Sequence, residues 1–154
     1  MNTDQTRLAR KNLDRRLNKL DREAVAWPPF GWIRAIREAL GMTPTQLAKR
    51  MGVARPRIQE PERAEKLGAT TLQSLRLAAE AMDCTLVYAF VPHGSLDDIV
   101  QKRAQRKADE RLTRLEHTMR LENQTPDQSD LADERERLRQ EILSGPPRKL
   151  WDDA

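Results

Sequence analysis

"MTPTQLAKRMGVARPRIQEPE", residues 42–62, is the stretch on which the fold of this chain turns. Thr43 stands before Pro44, and Gln46 follows three places after the threonine. That is the spacing of a capping box with proline at the first helical position. A helix over 44–51 then buries Leu47, Ala48 and Met51. Gly52 breaks it, and "VARPRIQE" (53–60) reads as a further short helix, with Val53 and Ile58 turned inward and Arg55, Arg57 and Gln59 turned out.

Working outward, the same punctuation recurs. "TTLQ" (70–73) and "TPDQ" (125–128) repeat the Thr-to-Gln spacing, and Ser95 with Asp97 and Asp98 marks another helix start. The first segment, about 4–24, has Leu13, Leu17, Leu20 and Ala24 at helical spacing. "WPPFGW" (27–32) stops it, since two prolines forbid continuation, and its aromatics are expected to pin the linker to the core. "GWIRAIREAL" (31–40) predicts a helix facing Ile33, Ile36, Ala39 and Leu40 inward, ended by Gly41. A helix over 71–82 is expected to bury Leu72, Leu75, Leu77, Ala78, Ala81 and Met82.

"CTLVYAFVP" (84–92) is the one convincing strand, and the chain offers no second strand to pair with it. Two copies pairing as a ribbon across a homodimer would satisfy its backbone. Beyond it, 95–123 predicts a long helix with a thin stripe of Val100, Ala104, Ala108, Leu112, Leu115 and Met119. A last helix over 126–143 carries Leu131, Leu138 and Ile142, and Trp151 in the polar tail is expected to pack. The fold class is therefore all-α: a compact core with one short strand, and long helices at both ends. Its parts are 1–26 (N-terminal helix), 27–94 (core and strand) and 95–154 (C-terminal helices).

Of the 154 residues, 34% are charged and 4% aromatic, too little apolar material for a large core. Residues 1–94 carry 16 Lys and Arg against 10 Asp and Glu, and 95–154 carry 12 against 14. The basic half suits a polyanion. With no apolar run near 18 residues, no signal-peptide pattern and the single Cys84, the expectation is a cytoplasmic protein without a membrane partner. His93, His117 and Cys84 form no ligand spacing, and no nucleophile, base and orienter come together. No metal, no cofactor and no enzymatic activity are expected.

A helix entering the major groove needs Arg or Gln near its start for base edges, and cations nearby for phosphates. Residues 31–82 resemble the XRE/Cro/C1 helix-turn-helix family. The longer run from "GWIRAIREALGMT" through "LAAEAMDCTLVYAFVP" resembles the bacterial group called mobile mystery protein A, over about two thirds of the chain. The resemblance implies operator binding by Arg55, Arg57 and Gln59, with Gln46 on a phosphate and Lys49, Arg50, Arg63 and Lys66 as backbone contacts. Pro44, Pro56 and Pro61 depart from the family pattern, and Pro61 is expected to end the reading helix by about Glu60. A degenerate helix-turn-helix kept only for dimerisation is the competing reading.

"TMRLEN" (118–123) closes the long helix. It is similar to the inhibitory helix of Fic-domain systems, Ser/Thr-x-x-x-Glu-Gly/Asn, and the usual neighbour of the mobile mystery protein A group carries a Fic domain. The resemblance implies that Glu122 occupies the toxin arginine that otherwise holds the ATP γ-phosphate, with Thr118 one turn earlier and Asn123 ending the helix, so that AMP transfer fails. A carboxylate can take a guanidinium bidentately, which explains the choice of Glu. The expected protein is an antitoxin, a repressor of its own operon, with a Fic toxin, operator DNA and a second copy as partners. The alternatives are a free-standing XRE-type regulator whose C-terminal helices only dimerise, a structural adaptor that does not bind DNA, and a merely solvated Glu122.

Overall fold

The computed structural model describes residues 3–53, 60–122 and 127–152. Among these the chain is all-helical: α1 (Thr3–Leu17), α2 (Trp32–Ala39), α3 (Pro44–Arg50), α4 (Glu60–Lys66), α5 (Leu72–Ala81), α6 (Leu96–Leu121) and α7 (Gln128–Ser144), with a 3₁₀ turn over Pro147–Leu150. The chain divides into two compact units, Arg22–Phe90 and the pair Met1–Asp21 with Val91–Ala154.

In the unit Arg22–Phe90, α2, α3, α4 and α5 close on Ile33, Leu47, Ala78, Ala81 and Met82, with Ile36, Met51, Leu75 and Cys84 packed around them. Such a small core needs polar ties. Helix α2 begins at Gly31, which has no side chain to cap it. The Glu65 carboxylate supplies the cap from α4, accepting from the Trp32 N–H at 2.8 Å and the Ile33 N–H at 3.0 Å. Trp27 Nε1 donates to it at 3.4 Å. Two orphan donors and the positive end of α2 thus meet one buried carboxylate. Gly31 makes this approach possible. Its φ is +87°, and a Cβ there would stand 2.7 Å from Glu65 Oε2.

One turn back on α4, Glu62 takes the buried Arg37 guanidinium in a two-pronged bond, 2.5 Å to Nε and 3.3 Å to the terminal nitrogen. Arg37 also donates to the Met42 carbonyl at 2.7 Å. The bond from Glu62 holds Arg37 above its usual pKa. Two acids three residues apart therefore fasten α4 along α2.

The other unit is a helical hairpin with α1 against it. Ala104, Ala108 and Leu112 of α6 are buried, the latter two against Leu138 of α7. Alanines on the stripe let the helix axes come close, and Leu131 and Ile142 flank the contact. Ser95 and Asp98 form the capping box of α6. Asp14 of α1 adds a second cap, accepting from Leu96 N at 2.7 Å and Asp97 N at 3.2 Å. Arg10 pairs with Asp97 at 2.9 Å.

Several expectations need correction. No strand occurs among the described residues: 84–92 is neither helix nor strand, because a strand needs a partner and one chain supplies none. The aromatics of 27–32 do not pin the linker by burial. Trp27 and Phe30 are 54% exposed and Trp32 41%; backbone and indole bonds to Glu65 hold the segment in their place. Helix α1 stops at Leu17, short of 24, since it buries no residue that would stabilise further turns. Pro61 falls within α4, and the expected end of the reading helix before it lies outside the described residues. The α7 cap is Asp127, whose side chain accepts from Gln128 N at 2.6 Å. Leu40, Leu72 and Leu77 stay exposed, and Leu150, not Trp151, is buried.

Replacing Glu65 by Ala leaves the Trp32 and Ile33 amides without acceptors in a dry site. The expected loss is about 2–4 kcal/mol, read by urea denaturation. Glu65→Gln keeps one acceptor oxygen and should lose less. Gly31→Ala should also destabilise, through strain at positive φ and the collision with Glu65. An unchanged midpoint for Glu65→Ala would remove the cap from the account of this fold.

Candidate functional site

In α3 the capping box is complete. Thr43 Oγ1 accepts from Gln46 N at 3.2 Å, and Gln46 Oε1 accepts from Thr43 N at 2.8 Å. The carbonyl of Gln46 is therefore committed to the cap, and only its amide NH₂ is left for a phosphate. Lys49 is exposed beside it and pairs with no described acid. Arg50 is tied into the fold, since its Nε donates to the Ala81 carbonyl at 2.5 Å, at the end of α5. That carbonyl has no partner within its own helix, and the cation lies at the negative end of the dipole.

Arg63 and Lys66 are exposed on α4 and pair with no described acid. Lys66 Nζ lies 5.8 Å from the centroid of the Phe30 ring, and the Arg34 guanidinium lies 4.9 Å from it. These groups, with Arg37, Pro44 and Glu62, line an open cleft of about 480 Å³. Arg37 and Glu62 neutralise each other, and Arg34 gives its Nε to Glu38 at 2.8 Å. Arg63 and Lys66, with no acid partner among the described residues, leave the cleft positive. Sequence reasoning misses Arg34 and Phe30. Phe30 stands just before the N-cap Gly31 and Arg34 in the first turn of α2, and an aromatic placed there beside a basic first turn is the signal that could have found them. Arg55, Arg57 and Gln59 lie outside the described residues.

At the far end of α6, Thr118 Oγ1 donates to the Arg114 carbonyl at 3.1 Å, and both Thr118 and Glu122 are exposed. Glu122 is the C-cap of α6, and its N–H bonds to the Met119 carbonyl at 3.1 Å. Its carboxylate pairs with no described residue. An acid at this end faces the negative pole of a 26-residue helix, where a cation would be favoured. Helix α7 begins only six residues later, so Glu122 stands at the tip of the α6–α7 hairpin. Asn123 lies outside the described residues.

Residues 33–88 match the helix-turn-helix family. No curated protein and no solved structure matches the chain. Residues 33–88 are thus a helix-turn-helix domain of the XRE-like kind, a DNA-binding module of a regulator. No described helix is long and apolar enough to cross a membrane.

The exposed, unpaired cations and the committed one should separate on mutation. Arg63→Ala and Lys66→Ala are expected to weaken binding to all duplexes alike. Each should lower the slope of log K against log salt by about 0.9 for a lost phosphate contact. Arg50→Ala should instead cost roughly 1 kcal/mol of stability, through the bare Ala81 carbonyl. Titrations of an operator and an unrelated duplex at several salt concentrations, beside denaturation curves, check both.

Proposed function

We propose that this chain is the antitoxin of a Fic-domain AMP-transferase toxin, that it represses its own operon as a dimer through the helix-turn-helix domain, and that the tip of α6 inhibits the toxin. The observation that carries the inhibitory part is Glu122. It is an exposed carboxylate at the negative end of a long helix, without a cation among the described residues. An arginine from a partner would relieve the clash with the helix dipole and gain a charge-assisted pair. Thr118, four residues earlier, lies on the same face. Its hydroxyl already donates to Arg114, so it offers a partner an acceptor. The resemblance of "TMRLEN" to the inhibitory helix assigns the arginine: the one that would hold the γ-phosphate of ATP.

The alternative is a regulator of the same DNA-binding kind whose hairpin serves only association. The helix-turn-helix match favours it as much as it favours the antitoxin. The two readings part at Glu122.

For the DNA half, Arg57→Ala is expected to lower operator affinity by about 1–3 kcal/mol while leaving non-specific duplex less affected. For the inhibitory half, Glu122→Gly should release AMP transfer by the co-expressed toxin, while the two proteins still co-purify. Thr118→Ala should release less, since a neutral hydrogen bond is weaker than a charged bidentate pair. Glu116→Ala, about a third of a turn away around α6, should leave inhibition unchanged. Normal growth and no AMP transfer with Glu122→Gly, beside a toxin active when free, would assign the motif to helix solvation alone.

A further inference from the structure

The segment after α5 is unusual in what it leaves unused. Cys84 N is bonded to the Ala79 carbonyl at 2.8 Å, but the backbone of residues 85–91 makes no hydrogen bond with the described chain. The burial pattern has the two-residue period of extended chain: Cys84 and Leu86 are half-buried, Thr85 and Val87 exposed. By that period Tyr88 and Phe90 turn to the same side as Leu86. They find no core of their own there, being 64% and 90% exposed. Leu86 is the most buried residue of 85–90 beside a groove of about 420 Å³, which Thr85 and Val87 also line together with Trp32, Ile36, Leu75, Met82 and Cys84.

We propose that this groove is completed by the Phe90 side chain of a second copy, carried in by an antiparallel ribbon of residues 85–91 centred on Tyr88. The inference deepens the dimer in the proposed function and rests on that part of it.

The register follows from which backbone groups are free. Pairing cannot include residue 84, whose amide is already committed, and Pro92 has no N–H to give. The free run is 85–91, and a two-fold axis through an antiparallel pair of that run passes at its middle, residue 88. Tyr88 then stands opposite Tyr88 of the second copy, and Phe90 of each copy stands opposite Leu86 of the other. Directly opposed residues share a face. Phe90 of the second copy therefore lands on the side where Leu86 meets its groove, and the exchange is reciprocal, as a two-fold interface requires.

The chemistry fits a self-complementary contact. Residues 84–91 contain no charged side chain, so nothing of like sign is brought together at the axis. The two Tyr88 and two Phe90 rings together would lose about 600 Å² of exposed surface. That is roughly half of what the smaller stable interfaces bury. Backbone pairing and Val87, which is 77% exposed, add to it.

The test uses the full chain. Sedimentation at micromolar concentration should show a dimer, and Phe90→Ser should raise its dissociation constant by roughly a hundredfold or more, because two rings are lost per dimer. Phe90 is nearly fully exposed in the single chain, so the variant keeps its helical circular dichroism. Register is read in a Cys84→Ser background. Tyr88→Cys should form an intermolecular disulfide on mild oxidation. Val87→Cys, which faces residue 89 of the other copy, should form little. Amides within 85–91 should exchange slowly when concentrated and fast on dilution. A monomer at these concentrations overturns the dimer reading and this inference together. A dimer that ignores Phe90→Ser, or that cross-links equally well through 87 and 88, keeps the dimer and overturns the groove and register.

Discussion

The Arg22–Phe90 unit depends on a buried carboxylate meeting the start of a helix that cannot cap itself. Helix α2 opens at Gly31, and Glu65 answers the Trp32 and Ile33 amides from α4. Taken alone, neither partner is viable. A bare helix start in a dry place leaves two donors unpaired, and a buried Glu without donors would carry an uncompensated charge. Together they define where α4 lies, and the Arg37–Glu62 pair, one turn along, sets its rotation. Helix α4 is therefore anchored by charge as much as by packing, which a core of five small and medium side chains could not do unaided.

The hairpin unit solves the same shortage of apolar mass by another route. Ala104 and Ala108 remove bulk from the α6 face, so that α7 and Leu112 can close with little side-chain volume. Ends are again tied by carboxylates, with Asp14 and Asp98 on the first turn of α6. The bond from the Ser95 backbone draws the Asp98 pKa down, in keeping with an acid serving the positive end of a helix. At the other end of α6 the polarity is reversed for an acid, and there Glu122 stands exposed.

Much of this is legible in the sequence because it is local. The capping box at Thr43 and the cap at Ser95 rest on residues within one turn, and both occur where the sequence puts them. The α6 stripe through Ala104, Ala108 and Leu112 follows from helical period alone. What the sequence hides is long-range. Glu65 reaches across thirty-three residues to Trp32, and nothing in its neighbourhood marks it as buried. The aromatics of 27–32 read as core, yet the indole N–H of Trp27 and the backbone N–H of Trp32 do the holding. Arg50 reads as a phosphate ligand beside Lys49, but its Nε is taken up by Ala81, a partner thirty-one residues away.

The division of charge follows the division of labour in the proposed reading. A helix-turn-helix domain gains from free cations, and Arg63 and Lys66 in the cleft beside Phe30 have no acid partner among the described residues. An inhibitory tip gains from a free anion, and that anion is held where its own helix repels it. The repulsion is small, a few tenths of a kcal/mol to about one at an exposed helix end. It does not decide folding, because α6 is held by Leu112 and the alanines two turns and more away. It does favour a partner's guanidinium over water at that one point. A Glu placed mid-helix would lack this bias, and its i±4 neighbours on α6, rich in Arg, would compete for it. The end of the helix is thus the place where a carboxylate stays available, and Glu122 is the residue that occupies it.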